Sequence, residues 1–204
     1  MDGAVFSLWE SVEIADGAID WRDVGRAVRT LHAVPVTDEH LLWLDDVTNL
    51  HRTRRRIRLA LRNGLASAQD AESVLGAARR IASWWQRTWR NSAWTRWGYV
   101  HGDLWPKNVL ATRRGPVLCD TDGIGWGPAN WDLAFIRAAL ERGSLSADDA
   151  VAFQRGYGEV LPSATDARWV LRWHDLNWTA WAVLNRGISA EREALAEMAL
   201  GWWR

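Results

Sequence analysis

Residues 100–110 read VHGDLWPKNVL, and the rest of the chain is best read outward from them. His101, Asp103, Pro106, Lys107 and Asn108 stand within eight residues, and Lys107 is the only lysine in the molecule. Immediately downstream, NVLAT (108–112) and PVLCD (116–120) are two short apolar runs separated by RRG, the pattern of a β-hairpin. Asp103 and Asn108 precede or open its first strand, and Asp120 and Asp122 close its second. Three or four oxygen-bearing side chains are therefore expected at one end of the hairpin. Two carboxylates and an amide oxygen are hard ligands, suited to Mg²⁺ rather than zinc, and Mg²⁺ held by few protein groups keeps positions for water and phosphate oxygens. His101 could be a metal ligand or a base. Next to glycine in a tight turn, an orienting hydrogen-bond partner is the favoured reading.

The surroundings of the motif read as helices. DWRDVGRAVRTLHAV (20–34) places Val24, Ala27, Val28 and Leu31 on one face and stops before Pro35. A second helix is expected over 39–62, where RTRRRIR reads as a solvated face in preference to an anion site. AESVLGAARRIASWWQRTW (71–89) repeats apolar residues at helical spacing and ends just before the motif. Beyond the hairpin, NWDLAFIRAALERG (130–143) stops at Gly143, Ser146 with Asp149 resembles a capping box, and Thr165 and Ser189 are plausible N-caps of two more helices. Seventeen tryptophans are present, and those at helical spacing, such as Trp169 and Trp173 with Leu176, read as core filling. The fold expected is mainly α with a small β-hairpin.

Composition narrows the function. With 204 residues the chain is expected to form one domain, and 25 basic against 25 acidic residues leave no global field for nucleic acid or an anionic membrane. Cys119 is the single cysteine, which excludes a disulfide framework and a thiol metal cluster and fits a cytoplasmic setting. No window approaches the ~20 apolar residues of a membrane span.

HGDLWPKN followed by VLCDTDGIGWGPANWDLA resembles the aminoglycoside phosphotransferase family, whose fold is similar to that of the protein kinases and which also includes choline, homoserine and fructosamine kinases. DWRDVGRAVRTLHAV and VAFQRGYGEV are similar to further helices of that family, so the resemblance covers essentially the whole chain. It implies a kinase-like C-terminal lobe and transfer of the terminal phosphate of ATP or GTP to a hydroxyl of a small molecule. Carried over by position, Asp103 would be the catalytic base, Asn108 and Asp120 the Mg²⁺ ligands, and His101 and Asp132 structural supports of the loop. Lys107, next to Asn108, is the candidate for contact with a phosphate oxygen, with a solvent-facing lysine as the alternative. Among substrate-facing groups, Asp122 and Trp126 are the candidates, with Trp131 beside them. If the substrate is a polycation, the acids Glu141, Asp148 and Asp149 are further candidates for an acidic pocket.

AVFSLWESV is similar to the family's hinge strand, which places Trp9 and Ser11 beside the nucleotide and makes 1–12 a hinge remnant and 13–204 the helical lobe. The N-terminal β lobe, with its phosphate loop and lysine, is then largely absent from this sequence. Two expectations follow: a homodimer or partner chain covers the hinge strand, and the chain alone turns over poorly. The other class left open is a non-catalytic binding or scaffold module, or half of a split kinase.

Overall fold

The structure, a computed structural model, describes residues 11–35, 46–88 and 96–204. The proposed hinge strand at 4–9, Trp9 included, and the start of the second predicted helix lie outside them. Ser11 is described and is exposed in irregular chain; nearby, Ile14 bridges to Thr112 and the Ala15 amide donates to Ala111 O at 2.9 Å.

Seven helices surround two small antiparallel ribbons. α1 (Trp21–Ala33) begins where the Asp20 carboxylate accepts from the Arg22 and Asp23 amides, and it buries Trp21, Val24, Gly25, Val28 and His32. α2 (Asp46–Arg62) and α3 (Ala68–Thr88) form an antiparallel pair. Ser67 and Asp70 make reciprocal contacts at the head of α3, the Asp70 amide donating to Ser67 Oγ at 3.0 Å. β1 (Trp97–Val100) pairs with β4 (Gly125–Pro128), and the hairpin β2 (Val109–Thr112) and β3 (Gly115–Leu118) lies between them in sequence. α4 (Asn130–Glu141), α5 (Ala147–Tyr157), α6 (Ala164–Leu184) and α7 (Ala190–Gly201) complete the fold.

Two expectations need correction. The sequence pattern predicts one hairpin, whereas the fold has two ribbons, because β1 and β4 are four-residue strands rich in glycine that find each other across 28 positions. The cap of α6 is Ser163, whose Oγ accepts the Asp166 amide at 3.2 Å; Thr165 is already inside the helix. The other signals match: Gly143 ends the α4 segment at φ 72°, Ser146 and Ser189 cap α5 and α7, and the hairpin register runs Val109↔Leu118 to Thr112↔Gly115.

Tryptophan fills the junction of α3, α4 and α6. Trp85, Trp131 and Trp173, each at most 3 % exposed, form a triangle with ring centroids 5.7–5.9 Å apart. Trp84 stacks on Trp169 at 4.9 Å outside it. Edge-to-face and tilted contacts of this kind add about 0.5–1.5 kcal/mol per pair beyond burial.

α1 and α5 approach closely enough that their backbones touch at Gly25 and Gly156. A Cβ on Gly156 would overlap the Arg22 carbonyl, and one on Gly25 the Phe153 carbonyl. Neither neighbour is a flexible side-chain tip, so the helices must separate to admit a methyl. Gly156→Ala is expected to lower stability by roughly 1–3 kcal/mol, the usual scale of overpacking, even though alanine favours helix. Urea unfolding measures it; an unchanged midpoint would show that the crossing has slack.

Candidate active site

The loop between β1 and β2 is held from below by one side chain. Asp132, in the first turn of α4 and fully buried, accepts the His101 amide on Oδ2 at 2.7 Å and the Gly102 amide on Oδ1 at 3.0 Å. His32 Nε2 reaches the same Oδ2 at 3.0 Å. Behind it, His32 Nδ1 meets Tyr157 Oη at 2.9 Å, and the Arg96 guanidinium donates to that oxygen at 2.9 Å. The chain Arg96, Tyr157, His32, Asp132 therefore runs from the surface into the loop. With Arg96 donating to it, the Tyr157 hydroxyl has its proton free for His32 Nδ1, which leaves Nε2–H to donate to Asp132.

The loop needs its glycine. Gly102 sits at φ 85°, and a Cβ there would run into the Gly123 carbonyl. Its carbonyl accepts the Trp131 indole N–H at 3.0 Å, so the tryptophan triangle is wired directly to the loop. His101 is buried, with Nε2 against Cys119 O at 2.9 Å and Nδ1 accepting the Asp103 amide at 3.4 Å. Both ring nitrogens are engaged, which agrees with an orienting role and leaves none for a metal.

Asp103 stands at the mouth of this loop. Asn108 Nδ2 donates to its backbone carbonyl at 2.8 Å and to its Oδ2 at 3.2 Å. Oδ1 is buried and has no hydrogen-bond partner. Its neighbour at 3.6 Å is His174 Nε2, which already accepts the Trp105 indole N–H at 3.3 Å. A ring nitrogen accepting one proton has no second lone pair and no proton to give, so Oδ1 is left an unspent acceptor on a residue that lines the cleft. Asp120 follows β3 in a left-handed conformation, φ 60° and ψ 54°, a geometry aspartate tolerates better than most residues.

A cleft of about 520 Å³ opens over these groups. Asp103, Lys107, Asp120 and Asp122 line one side, with Trp131 and Phe135 below. Trp126 does not line it but packs edge-to-face on Tyr99 at 5.9 Å, and Trp131 belongs to the core as much as to the cleft floor. Of the acids considered for a cationic substrate, Asp122 alone lines the cleft; Glu141 pairs with Arg137 and Asp149 with Ser146. The cleft is also lined by Arg52 and Arg56 of α2, from the stretch read as a solvated face, and by His174, Asn177, Trp178 and Trp181 of α6, which the sequence pattern did not single out. The i, i+3, i+4, i+7 spacing on α6 is the signal that was present, though it reads equally as a core stripe.

The sequence pattern implies Mg²⁺ at this site. Asn108 turns its NH₂ toward Asp103, which leaves its amide oxygen uncommitted, and Asp103 and the exposed Asp120 both line the cleft, with no hydrogen bond to Asp103 Oδ1 or to the Asp120 carboxylate among the described residues. These oxygens fit a hard cation. Among the described residues no cluster of three or more His, Cys, Asp or Glu forms, so a cation would rest on few protein oxygens.

Comparison with known proteins agrees with this geometry. The family model described as the phosphotransferase enzyme family matches residues 2–173. The chain belongs to that family. Among solved structures, it is similar to the AMP-bound spectinomycin phosphotransferase APH(9)-Ia, with a TM-score of 0.60 and 16 % identity over 88 % of this chain and 61 % of that one. A choline/ethanolamine kinase family protein from Mesorhizobium loti gives 0.56 and 18 % over 89 % and 59 %. The amicoumacin kinase hAmiN, in complex with AMP-PNP, Ca²⁺ and Ami, gives 0.60 and 14 % over 89 % and 57 %. The fold is thus the kinase-like one, and the chain spans about 60 % of the length of these structures. A search of curated proteins finds no match. No helix among the described residues is long and apolar enough to cross a membrane.

Burial, above all, pushes the Tyr157 phenol above its ordinary value of 10.0, against the pull of Arg96. A raised value means that the folded state keeps a proton the unfolded state has lost. The corresponding stability is fully present below pH 10.0 and falls as pH rises above it. With two tyrosines, one lysine and one cysteine in the chain, few other groups titrate there. Thermal unfolding between about pH 9 and 11 should show a steeper loss for the wild type than for Tyr157→Phe; parallel curves would contradict this reading of the buried phenol.

Proposed function

We propose that residues 1–204 form the catalytic lobe of a small-molecule kinase that transfers the terminal phosphate of a nucleoside triphosphate to an alcohol. The observation that carries the proposal is Asp103, which lines the cleft and whose buried Oδ1 has no hydrogen-bond donor of its own. An acceptor hydroxyl placed there would donate to Oδ1 and lose its proton to it as the O–P bond forms. Family membership and the kinase-like fold support the same reading.

Asn108 and Asp120 would hold Mg²⁺ through the amide oxygen and the carboxylate. When bound, the ion neutralises charge on the donor phosphates. Lys107, exposed and lining the cleft, would meet a phosphate oxygen. Asp132, His101 and His32 act only through the loop: they fix the direction of Asp103 without touching substrate. A homodimer or partner chain over residues 4–9 remains part of the proposal, because positioning of the donor supplies most of the catalysis in phosphoryl transfer. A binding module without catalysis is the competing class, but an unsatisfied buried carboxylate oxygen is a cost with no return in such a module.

Asp103→Asn and Asp120→Asn separate the roles. In a phosphotransfer assay Asp103→Asn should lower turnover by roughly 10²–10⁴ while calorimetry shows ADP binding unchanged. Asp120→Asn should remove the dependence of ADP binding on Mg²⁺. Full turnover in the first variant, or magnesium-independent binding in the wild type, would overturn the assignment.

A further inference from the structure

The cleft is lined by two sets of opposite charge. Asp103, Asp120 and Asp122 come from the loop and the hairpin end, and Arg52 and Arg56 from the wall that α2 and α6 form together. One turn apart on the same helix face, the two arginines have no acidic or hydrogen-bonding partner among the described residues. Their placement is fixed by packing. Thr53, fully buried between them in sequence, donates to Asn177 Oδ1 on α6, and Ile57 beside Arg56 is fully buried in the core. The half-buried Arg56 guanidinium is held below its ordinary value, by loss of hydration first and by the charge of Arg52 second. Two like charges brought together at a cleft and left without a counter-ion are destabilising unless something anionic completes them.

The same wall carries the aromatic rings. Trp178 stacks at 5.5 Å on Trp202, and Trp181 carries Arg192 over its ring at 4.5 Å, so both indoles are braced from behind. A molecule lying across the cleft would meet an indole wall, two guanidiniums and, at its far end, Asp103. A polycation would be opposed at this wall, because among the described residues no carboxylate of α2 or α6 lines the cleft. Asp175, the nearest acid on α6, is paired with Arg142 at 3.4 Å.

We propose that the acceptor substrate carries an anionic group, of the carboxylate type, which Arg52 and Arg56 hold against the Trp178 and Trp181 wall while its hydroxyl reaches Asp103. This rests on the reading of the cleft as the acceptor site of a kinase. Guanidinium is the group best matched to a carboxylate, through two parallel N–H donors, and a pair of them one helical turn apart suits one such anion. The donor phosphates are the competing anion, but they are expected beside Asp120, Asn108 and Lys107.

Binding of two probes of one shape and opposite charge tests it: 4-(hydroxymethyl)benzoate and 4-(hydroxymethyl)benzylamine, titrated into the full chain by calorimetry. The benzoate should bind about tenfold or more tighter than the amine, the scale of one charge-assisted hydrogen bond. That preference should vanish in Arg52→Gln/Arg56→Gln and survive in Arg55→Gln/Arg58→Gln, whose residues are exposed and do not line the cleft. Tighter binding of the amine, no benzoate binding at millimolar concentration, or an unchanged preference in the first double variant would overturn the proposal. So would a loss confined to ADP binding with Mg²⁺, which would assign the arginines to the donor. The readout is binding, so a failure of phosphotransfer is detected separately by the Asp103→Asn assay.

Discussion

One buried carboxylate sets the geometry on which everything else rests. Asp132 accepts two consecutive loop amides and the His32 ring, so three segments of the chain, α1, the loop and α4, meet at one carboxylate. Because the group is fully buried, it cannot be half satisfied: breaking a buried charged network by removing one partner typically costs about 3–5 kcal/mol. The loop between β1 and β2 thus has one low-energy position relative to α4, and the direction of Asp103 follows from it. The Trp131 indole bond to Gly102 O adds a second tether one residue earlier in α4. Both tethers belong to the first turn of α4, where the helix dipole also favours a negative charge.

Tryptophan serves two ends in this fold. Trp85, Trp131 and Trp173 fill the centre, and since Trp131 also binds the loop, packing at the centre is transmitted to the site by one hydrogen bond. Trp178 and Trp181 face the cleft instead, braced by Trp202 and Arg192. The distinction lies in what α6 packs against at each turn: α3 and α4 cover the Trp173 face, while the cleft leaves the next two turns half-buried. The arginines of α2 divide in the same way. Arg52 and Arg56 come to the cleft because Thr53 docks α2 on Asn177, and Arg55 and Arg58 remain exposed.

What could be read in the sequence was whatever is encoded locally. Ser146 and Ser189 cap helices through neighbours three residues away, and VHGDLWPKNVL with its hairpin carries its geometry in a single stretch, so these were legible. His101 and Asp132 were assigned to the support of the loop by resemblance; in the structure His101 Nδ1 accepts the Asp103 amide and Asp132 accepts the two loop amides. His32 and Tyr157 were not found: each looks like one more helical residue, and their partners lie 100 and 125 positions away. The β1–β4 ribbon was missed for a related reason, since strands of four residues containing glycine and proline give no alternation to detect. The arginine face of α2 was assigned to solvent because a helical wheel shows which residues share a face but not what that face meets. Trp126 was placed near substrate by its position beside the motif, and the β4 pleat turns it to Tyr99 instead.

Hydrogen exchange at the His101 and Gly102 amides tests most directly whether Asp132 fixes the loop. Although they lie in an irregular segment, these two amides should exchange only through opening nearly as costly as global unfolding, and Asp132→Asn should speed both while leaving α6 amides slow. Exchange as fast as that of an ordinary surface turn in the wild type would contradict the claim that this carboxylate holds the site together.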